Sequence, residues 1–281
     1  MKIGLIDIDS HNFPNIPLMK ISTYFKKQGD EVEHATFGHY DRLFISKIFD
    51  FSSDFDNSLI FSDEIIKGGT GYDLKNKLPD EIENTDPDYS IYPKYDFSVQ
   101  LFSRGCIRNC PFCIVREKEG YIRPVEPMNL NPNGKHIEIL DNNFFANPNW
   151  KNAIDYLIKA KQPVNFHGVD IRIMNEEQAY YLNQLKHIKQ IHIAWDNAKI
   201  DLTDRIKEMT KYIKPYKIMC YVLVGFDSTP DEDMYRIQKL RELNVDPFVM
   251  PFDKSDKYQK RFARWVNHKA IFNTVKYENY N

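Results

Sequence analysis

Long apolar runs are missing from this chain of 281 residues. Nothing in it approaches the roughly 20 residues that a membrane-spanning helix needs. The opening Met-Lys-Ile-Gly-Leu-Ile-Asp turns acidic too soon for the apolar core of a secretory signal. An excess of one charge is missing as well: Lys and Arg total 38 against 40 for Asp and Glu. That excludes broad, charge-driven binding to nucleic acid, though not a local basic patch. Cysteine is scarce, at four in the whole chain. A disulfide framework is therefore not expected, and a reducing compartment is. Neither an internal repeat nor a low-complexity tract is evident. These absences together lead us to expect a soluble, cytoplasmic protein.

What is present suits a large core. Hydrophobic residues make up 42% of the chain and aromatic residues 14%. The length fits one α/β domain, or one with a small companion. Residues 3–8 read as a buried strand. Residues 17–28 read as an amphipathic helix, with Leu18, Ile21, Tyr24 and Phe25 on one face, Pro17 in the first turn and Gly29 at the exit. Strands follow at 32–37, 43–48 and 64–66, a β-α-β opening. Residues 72–95 carry Pro79, Pro87 and Pro93 without periodicity and read as a linker. Beyond them strands and helices alternate. Strands are expected at 97–102, 136–140, 164–166 (continuing toward 173), 190–195, 218–224 and 247–250. Helices are expected at 150–160, 176–185, 202–213 and 232–243. Such alternation implies a parallel sheet with right-handed crossovers.

Three of the four cysteines fall within eight residues, in Gly105-Cys106-Ile-Arg-Asn-Cys110-Pro-Phe-Cys113. The apolar run at 97–102 precedes them, so the thiols sit on a loop just past a strand end. Three thiolates there can hold three irons of a 4Fe-4S cluster and leave the fourth iron open. The alternative is structural zinc, which wants four closed ligands. The histidine closest in sequence is His136, and Cys220 lies in an apolar, strand-like run.

The spacing Cys-x-x-x-Cys-x-x-Cys, with Phe112 before the third cysteine, resembles the signature loop of the radical S-adenosylmethionine (radical SAM) enzymes. The resemblance implies that Cys106, Cys110 and Cys113 hold the cluster and that the backbone at Phe112 meets the adenine of S-adenosylmethionine. In that family the open iron chelates the methionine part of the cofactor, and one electron cleaves it to a 5'-deoxyadenosyl radical. The six strand-helix units over about residues 96–253 resemble the partial (β/α)6 barrel of the same family. Residues 14–32 and the turn Ile66-Lys-Gly-Gly69 are similar to parts of the cobalamin-binding domains fused to such barrels. Asp9-Ser-His11 sits where some of those domains carry a cobalt-ligating histidine. Here Pro14 replaces the family's glycine, and a polar loop residue is the plainer reading of His11.

The expected organisation is therefore a small Rossmann-like domain at 1–75, a linker at 76–95, the barrel at 96–253 and a tail at 254–281. Strand C-terminal ends should face the cofactor. Asp141 suits an ammonium donor, with Asn142 beside it, because a carboxylate accepts charge-assisted hydrogen bonds. Helix capping there belongs more naturally to Asn147. Arg172 offers a fork for a carboxylate, with Asp170 orienting it. Asp196 suits ribose hydroxyls, and Gly225 allows close approach to adenine. His167 and His192 read first as packed or solvated histidines, although His167 can face a cavity. The tail mixes Lys257, Lys260, Arg261, Arg264 and Lys269 with Tyr258, Phe262, Trp265 and Phe272. A solvated amphipathic helix explains that pattern better than nucleic-acid binding does.

The expected function is reductive cleavage of S-adenosylmethionine to functionalise an unactivated C–H bond, with an external one-electron donor. Methyl transfer leads if cobalamin binds; otherwise an oxidation, epimerisation or rearrangement follows. A non-enzymatic metal-binding module is the rival class.

Overall fold

The structure, a computed structural model, describes residues 1–280. It is mixed α/β with parallel sheets. The chain divides into two compact units. The first holds residues 1–99, 108–120 and 127–135; the second holds 100–107, 121–126 and, of the described residues, 136–280.

The first unit begins with β1 (Lys2–Asp7), α1 (Ile16–Lys27) and β2 (Glu31–His34), then β3 (Gly38–Ser46) and β4 (Ile60–Gly68). The four strands form a parallel sheet in the order β2-β1-β3-β4. Asn15 starts α1 by accepting the Leu18 N–H at 3.2 Å, and the helix ends in Gly29, at φ 86°. Only a residue that tolerates positive φ closes the helix this way, so glycine is needed there. Leu18, Ile21 and Phe25 of α1 pack with Ile3, Leu5 and Phe44 of the sheet. Strands β3 and β4 are joined by a loop rather than a helix; β3 begins five residues before the expected span and ends two short of it, and β4 extends past its span at both ends.

Residues 76–95 are folded back on α1. They include α2 (Asp80–Glu83), whose Ile82 is buried. Lys20 reaches Glu83 at 2.9 Å, and Asp88 accepts from Ser22 and Lys26, both at 2.7 Å.

Strand β5 (Ser98–Gln100) ends one residue into the second unit, and a short antiparallel pair follows, β6 (Ser103–Arg104) with β7 (Arg123–Pro124). Between them, in residues that group with the first unit, α3 (Val115–Glu119) follows the thiol loop. The second unit then alternates: β8 (Ile137–Ile139), α4 (Trp150–Ala160), β9 (Val164–Phe166), α5 (Glu176–Gln184), β10 (Ile191–Ala194), α6 (Thr203–Thr210), β11 (Ile218–Val224), α7 (Pro230–Glu242) and β12 (Asp246–Pro251). Within it β8 pairs with β9, and β10-β11-β12 form a sheet in chain order; a parallel bridge from Val169 to Ile193 joins the two. The helix expected at 150–160 and the strand at 218–224 appear with the expected bounds. Residues 169–173 hold only that bridge and a turn, so the expected strand stops at Phe166.

Strand alternation sorts the side chains into two faces. On β11, Ile218, Cys220, Val222 and Val224 are buried, while Met219, Tyr221 and Leu223 are half-buried. The tail forms α8 (Lys257–Asn267) and α9 (Lys269–Thr274), and Phe262, Trp265 and Phe272 are buried. Its aromatic residues thus belong to the core, as an amphipathic helix requires. Among the described residues no helix is long and apolar enough to cross a membrane.

Candidate functional site

The candidate site is built at the ends of β5, β8 and β9. Leu140 donates its N–H to the Gln100 carbonyl at 2.9 Å, which carries pairing past β8. Asp141 follows, only 1% exposed. It accepts the Phe102 N–H at 3.0 Å and the Ser103 hydroxyl at 2.5 Å. These bonds hold the start of the thiol loop against the sheet. Burial pushes the Asp141 carboxyl up to about 6, and the Ser103 and Phe102 bonds offset only part of that.

Asn142 is exposed, and Asn143 is buried. The Asn143 amide nitrogen donates to Asp170 Oδ2 at 3.2 Å and lies 3.9 Å from Cys106 Sγ. Its Oδ1 is buried and has no hydrogen-bond partner. The approach depends on Gly168: a Cβ there would lie 2.1 Å from the Asp141 carbonyl oxygen. Only glycine lets the chain after β9 run this close to the chain after β8. Two residues on, Asp170 grips Arg172 by two bonds, Nε to Oδ1 at 2.7 Å and a second guanidinium nitrogen to Oδ2 at 3.1 Å. Asp196, past β10, feels the same guanidinium. Burial raises its carboxyl, and Arg172 and Arg236 pull it back.

Cys106, Asn143, Asp170 and Arg172 thus form one connected group, and Asp196 is linked to it through the field of Arg172. Asp141 anchors the loop from below. Gly225 has φ 81°, and the space beside it holds Gln259 of α8: a Cβ at Gly225 would lie 2.1 Å from Gln259 Cδ. Cys110 and Cys113 lie in residues that group with the first unit. The Cys113 N–H donates to the Cys110 carbonyl at 3.0 Å, forming the turn before α3. Cys110 and Phe112 are half-buried, and Cys113 is exposed. Cys220 is fully buried in β11, and burial drives its thiol pKa upward.

In the first unit His11 is exposed. Its neighbour Asp9 is 3% exposed and accepts the Ile48 and Phe49 N–H groups at 2.7 and 2.9 Å. Capping at Asn147 takes a different form from the one expected. Asn149 precedes α4, while Asn147 accepts the Asn149 N–H and donates to the Phe102 carbonyl at 2.8 Å.

Asn143 was not among the sequence candidates. It differs from Asn142 only by one position, and strand-end geometry decides which of the two turns inward. Glu138 and Asn165 were missed too, although each stands between two aliphatic or aromatic neighbours (Ile137-Glu-Ile139, Val164-Asn-Phe166). A polar residue in such a setting is a readable signal of a second, polar sheet face.

No protein-family model matches this chain, and no curated protein matches it.

Proposed function

We propose that this protein is a radical SAM enzyme, its second unit a partial (β/α)6 barrel and its first a cobalamin-binding-like, Rossmann-like module. The observation that carries the reading is the thiol loop leaving β5 with Asn143, Asp170 and Arg172 gathered beside Cys106. The donor chemistry fits the groups such an enzyme holds. Three thiolates suit a 4Fe-4S cluster. An orphaned, buried Asn143 Oδ1 suits an ammonium donor, since a buried acceptor left unpaired costs about 1–3 kcal/mol.

When bound, the cluster and S-adenosylmethionine supply the radical that removes a hydrogen from an unreactive C–H bond. The chain's own residues then have distinct tasks. Cys106, Cys110 and Cys113 are the cluster ligands. Asn143 accepts from the methionine ammonium, a role the sequence assigned to Asp141. Arg172, held in place by Asp170, binds the carboxylate by its fork. Asp196 takes the ribose. Methyl transfer is the leading reaction, with cobalamin as the second cofactor; oxidation, epimerisation or rearrangement is the alternative without it.

The test is anaerobic reconstitution with iron and sulfide, reduction, and addition of S-adenosylmethionine with and without cobalamin. Release of 5'-deoxyadenosine supports the enzyme. S-adenosylhomocysteine formed only with cobalamin assigns methyl transfer. One bound zinc and no iron after reconstitution would instead make the chain a metal-binding module.

A further inference from the structure

Strand β12 is the outer strand of the order β10-β11-β12, and α8 is fastened along it. Near the end of α8, Asn267 accepts the Val249 N–H at 2.7 Å and donates to the Val249 carbonyl at 3.0 Å. These two bonds occupy an edge where a further strand would otherwise pair. Near the start of α8, Gln259 accepts the Asp253 N–H at 2.9 Å. Held at both ends, the helix and the strand keep a preformed space between them.

That space is a cavity of about 350 Å³. Pro251 and Ala263 give it an apolar lining, and Lys254, Lys260 and Arg264 bring three positive charges to it. Lys260, Ala263, Arg264 and Asn267 stand three and four apart on α8, so they share one face of the helix. Pro251 pairs with Val224 at the end of β11, which puts the cavity at the C-terminal edge of this parallel sheet. Asp196 follows β10 at the same edge.

The three charges are not neutralised from within. Residues 257–277 include six Lys or Arg and no Asp or Glu, in a chain whose charges otherwise balance. Two of those six have partners: Lys269 reaches Asp246 at 2.5 Å, and Arg261 bonds the carbonyls of Tyr277 and Tyr280. Among the described residues, the side chains of Lys254, Lys260 and Arg264 make no hydrogen bond or ion pair. The acids nearest in sequence are spent locally. Asp253 accepts the Ser255 N–H and hydroxyl at 2.8 and 2.6 Å, and Asp256 caps α8 by accepting the Gln259 N–H at 2.8 Å. Like charges around one cavity repel, and an anion placed among them removes that cost.

We propose that this cavity binds the phosphate of a small phosphate monoester. Arg264 offers a planar fork and the two lysines offer point charges, a set that suits the three terminal oxygens of the dianion. A carboxylate, with two oxygens and a single charge, would use fewer of these donors. Pro251 and Ala263 receive the apolar part of the ester. For the proposed enzyme the ester is the substrate, anchored by its phosphate at the sheet edge that carries Asp196; that clause alone rests on the radical SAM reading. Binding needs neither cluster nor S-adenosylmethionine, so the two can fail separately.

The test is calorimetric titration of the full chain, at physiological ionic strength, with phenyl phosphate, phenol, and an oligouridylate lacking a terminal phosphate. Phenyl phosphate should bind saturably, one per chain, and phenol should not bind. Lys260 and Arg264 are exposed, so either can be changed without disturbing the core. Lys260→Gln and Arg264→Gln should each weaken phenyl phosphate by about fivefold, the upper range for a water-screened ion pair. Arg264→Lys, which keeps the charge and loses the fork, should fall between Arg264→Gln and the original. Lys269→Gln removes the same charge outside the cavity and should change the affinity by less than about twofold. Four outcomes would each overturn the proposal: no saturable binding of phenyl phosphate, equal binding of phenol, tighter binding of the oligonucleotide, or an equal loss in Lys269→Gln. The third would assign the patch to nucleic acid, and the fourth to diffuse charge alone.

Discussion

Two buried aspartates, one in each unit, sit just past a strand and catch the backbone of a neighbouring loop. Asp9 takes two N–H groups, from Ile48 and Phe49. Burial pushes its carboxyl up, but those bonds win and the net shift is downward. Asp141 takes one N–H and one hydroxyl, and burial wins there. The same residue in the same position is thus shifted in opposite directions, because the donors are set against a different depth of burial. The lesson for function is that both residues are anchors. What differs is the cargo of the loop: in the first unit it is a turn with Phe49 and Phe51, and in the second it is the start of the thiol loop, with Cys106.

The largest expected effect separates those two loops. Replacing Cys106, Cys110 or Cys113 by Ala should abolish retention of iron after reconstitution and, with it, cleavage of S-adenosylmethionine. Asp9→Ala should leave iron retention intact in the protein that remains folded. Iron bound equally well by the Cys106→Ala protein would remove the functional difference between the two regions.

Next in size is Arg172→Ala. The guanidinium is held by Asp170 through two bonds and is a quarter exposed, so it is both fixed and reachable. A charge-assisted contact is worth about 1.5–3 kcal/mol, so affinity for S-adenosylmethionine should fall roughly 10- to 100-fold. Equilibrium dialysis on the reconstituted protein reads this directly. His11→Ala, on the exposed loop of the first unit, should leave that affinity unchanged, and an equal loss in both variants would erase the contrast.

Asp141 gives a pH-dependent prediction. Its folded pKa, about 6, lies above the ordinary 3.8, so the folded state holds its proton more tightly than the unfolded one. Its contribution to stability is then full below 3.8 and is lost as pH rises through 6, by at most about 3 kcal/mol. Asp141→Asn keeps an oxygen for the Phe102 N–H and offers an amide donor to Ser103, and it cannot ionise. Urea unfolding between these two pH values should show the original protein losing stability where the variant does not. Parallel curves would place the Asp141 carboxyl in its ordinary range.

Sequence reading reached the two ends of the problem and missed its middle. The alternation of strands and helices is written in the apolar periodicity, and α4 and β11 appear with the expected bounds. The thiol loop is legible because its chemistry lies in local spacing. The partner of Cys106 is not local. Whether Asn142 or Asn143 turns inward depends on how the chain leaves β8, and on Gly168 letting a different strand end approach. Gly225 was expected to admit adenine, and the neighbour that takes the space beside it is Gln259, from a helix 34 residues on. Glu138 carried a signal of its own, one charge between two isoleucines. Its meaning needed Asn165 on the next strand and the histidines beside it.

The smallest effect is expected at Asp9, and its sign is opposite to that at Asp141. Its carboxyl is depressed, so its contribution is present above the ordinary 3.8 and is lost as pH falls through the lower folded value. Asp9→Asn keeps one accepting oxygen and turns an NH2 toward the second N–H, so one of the two backbone bonds is lost. A hydrogen bond to a charged carboxylate is worth about 1.5 kcal/mol at the low end, which sets the expected loss at neutral pH. The variant and the original should converge as the pH is lowered, because the protonated carboxyl also retains only one good acceptor. Hydrogen exchange at the Ile48 and Phe49 amides should speed up in the variant, while that at Phe102 stays as it was. Faster exchange at Phe102 as well would mean that the two anchors are not independent, and the contrast between them would need a shared cause.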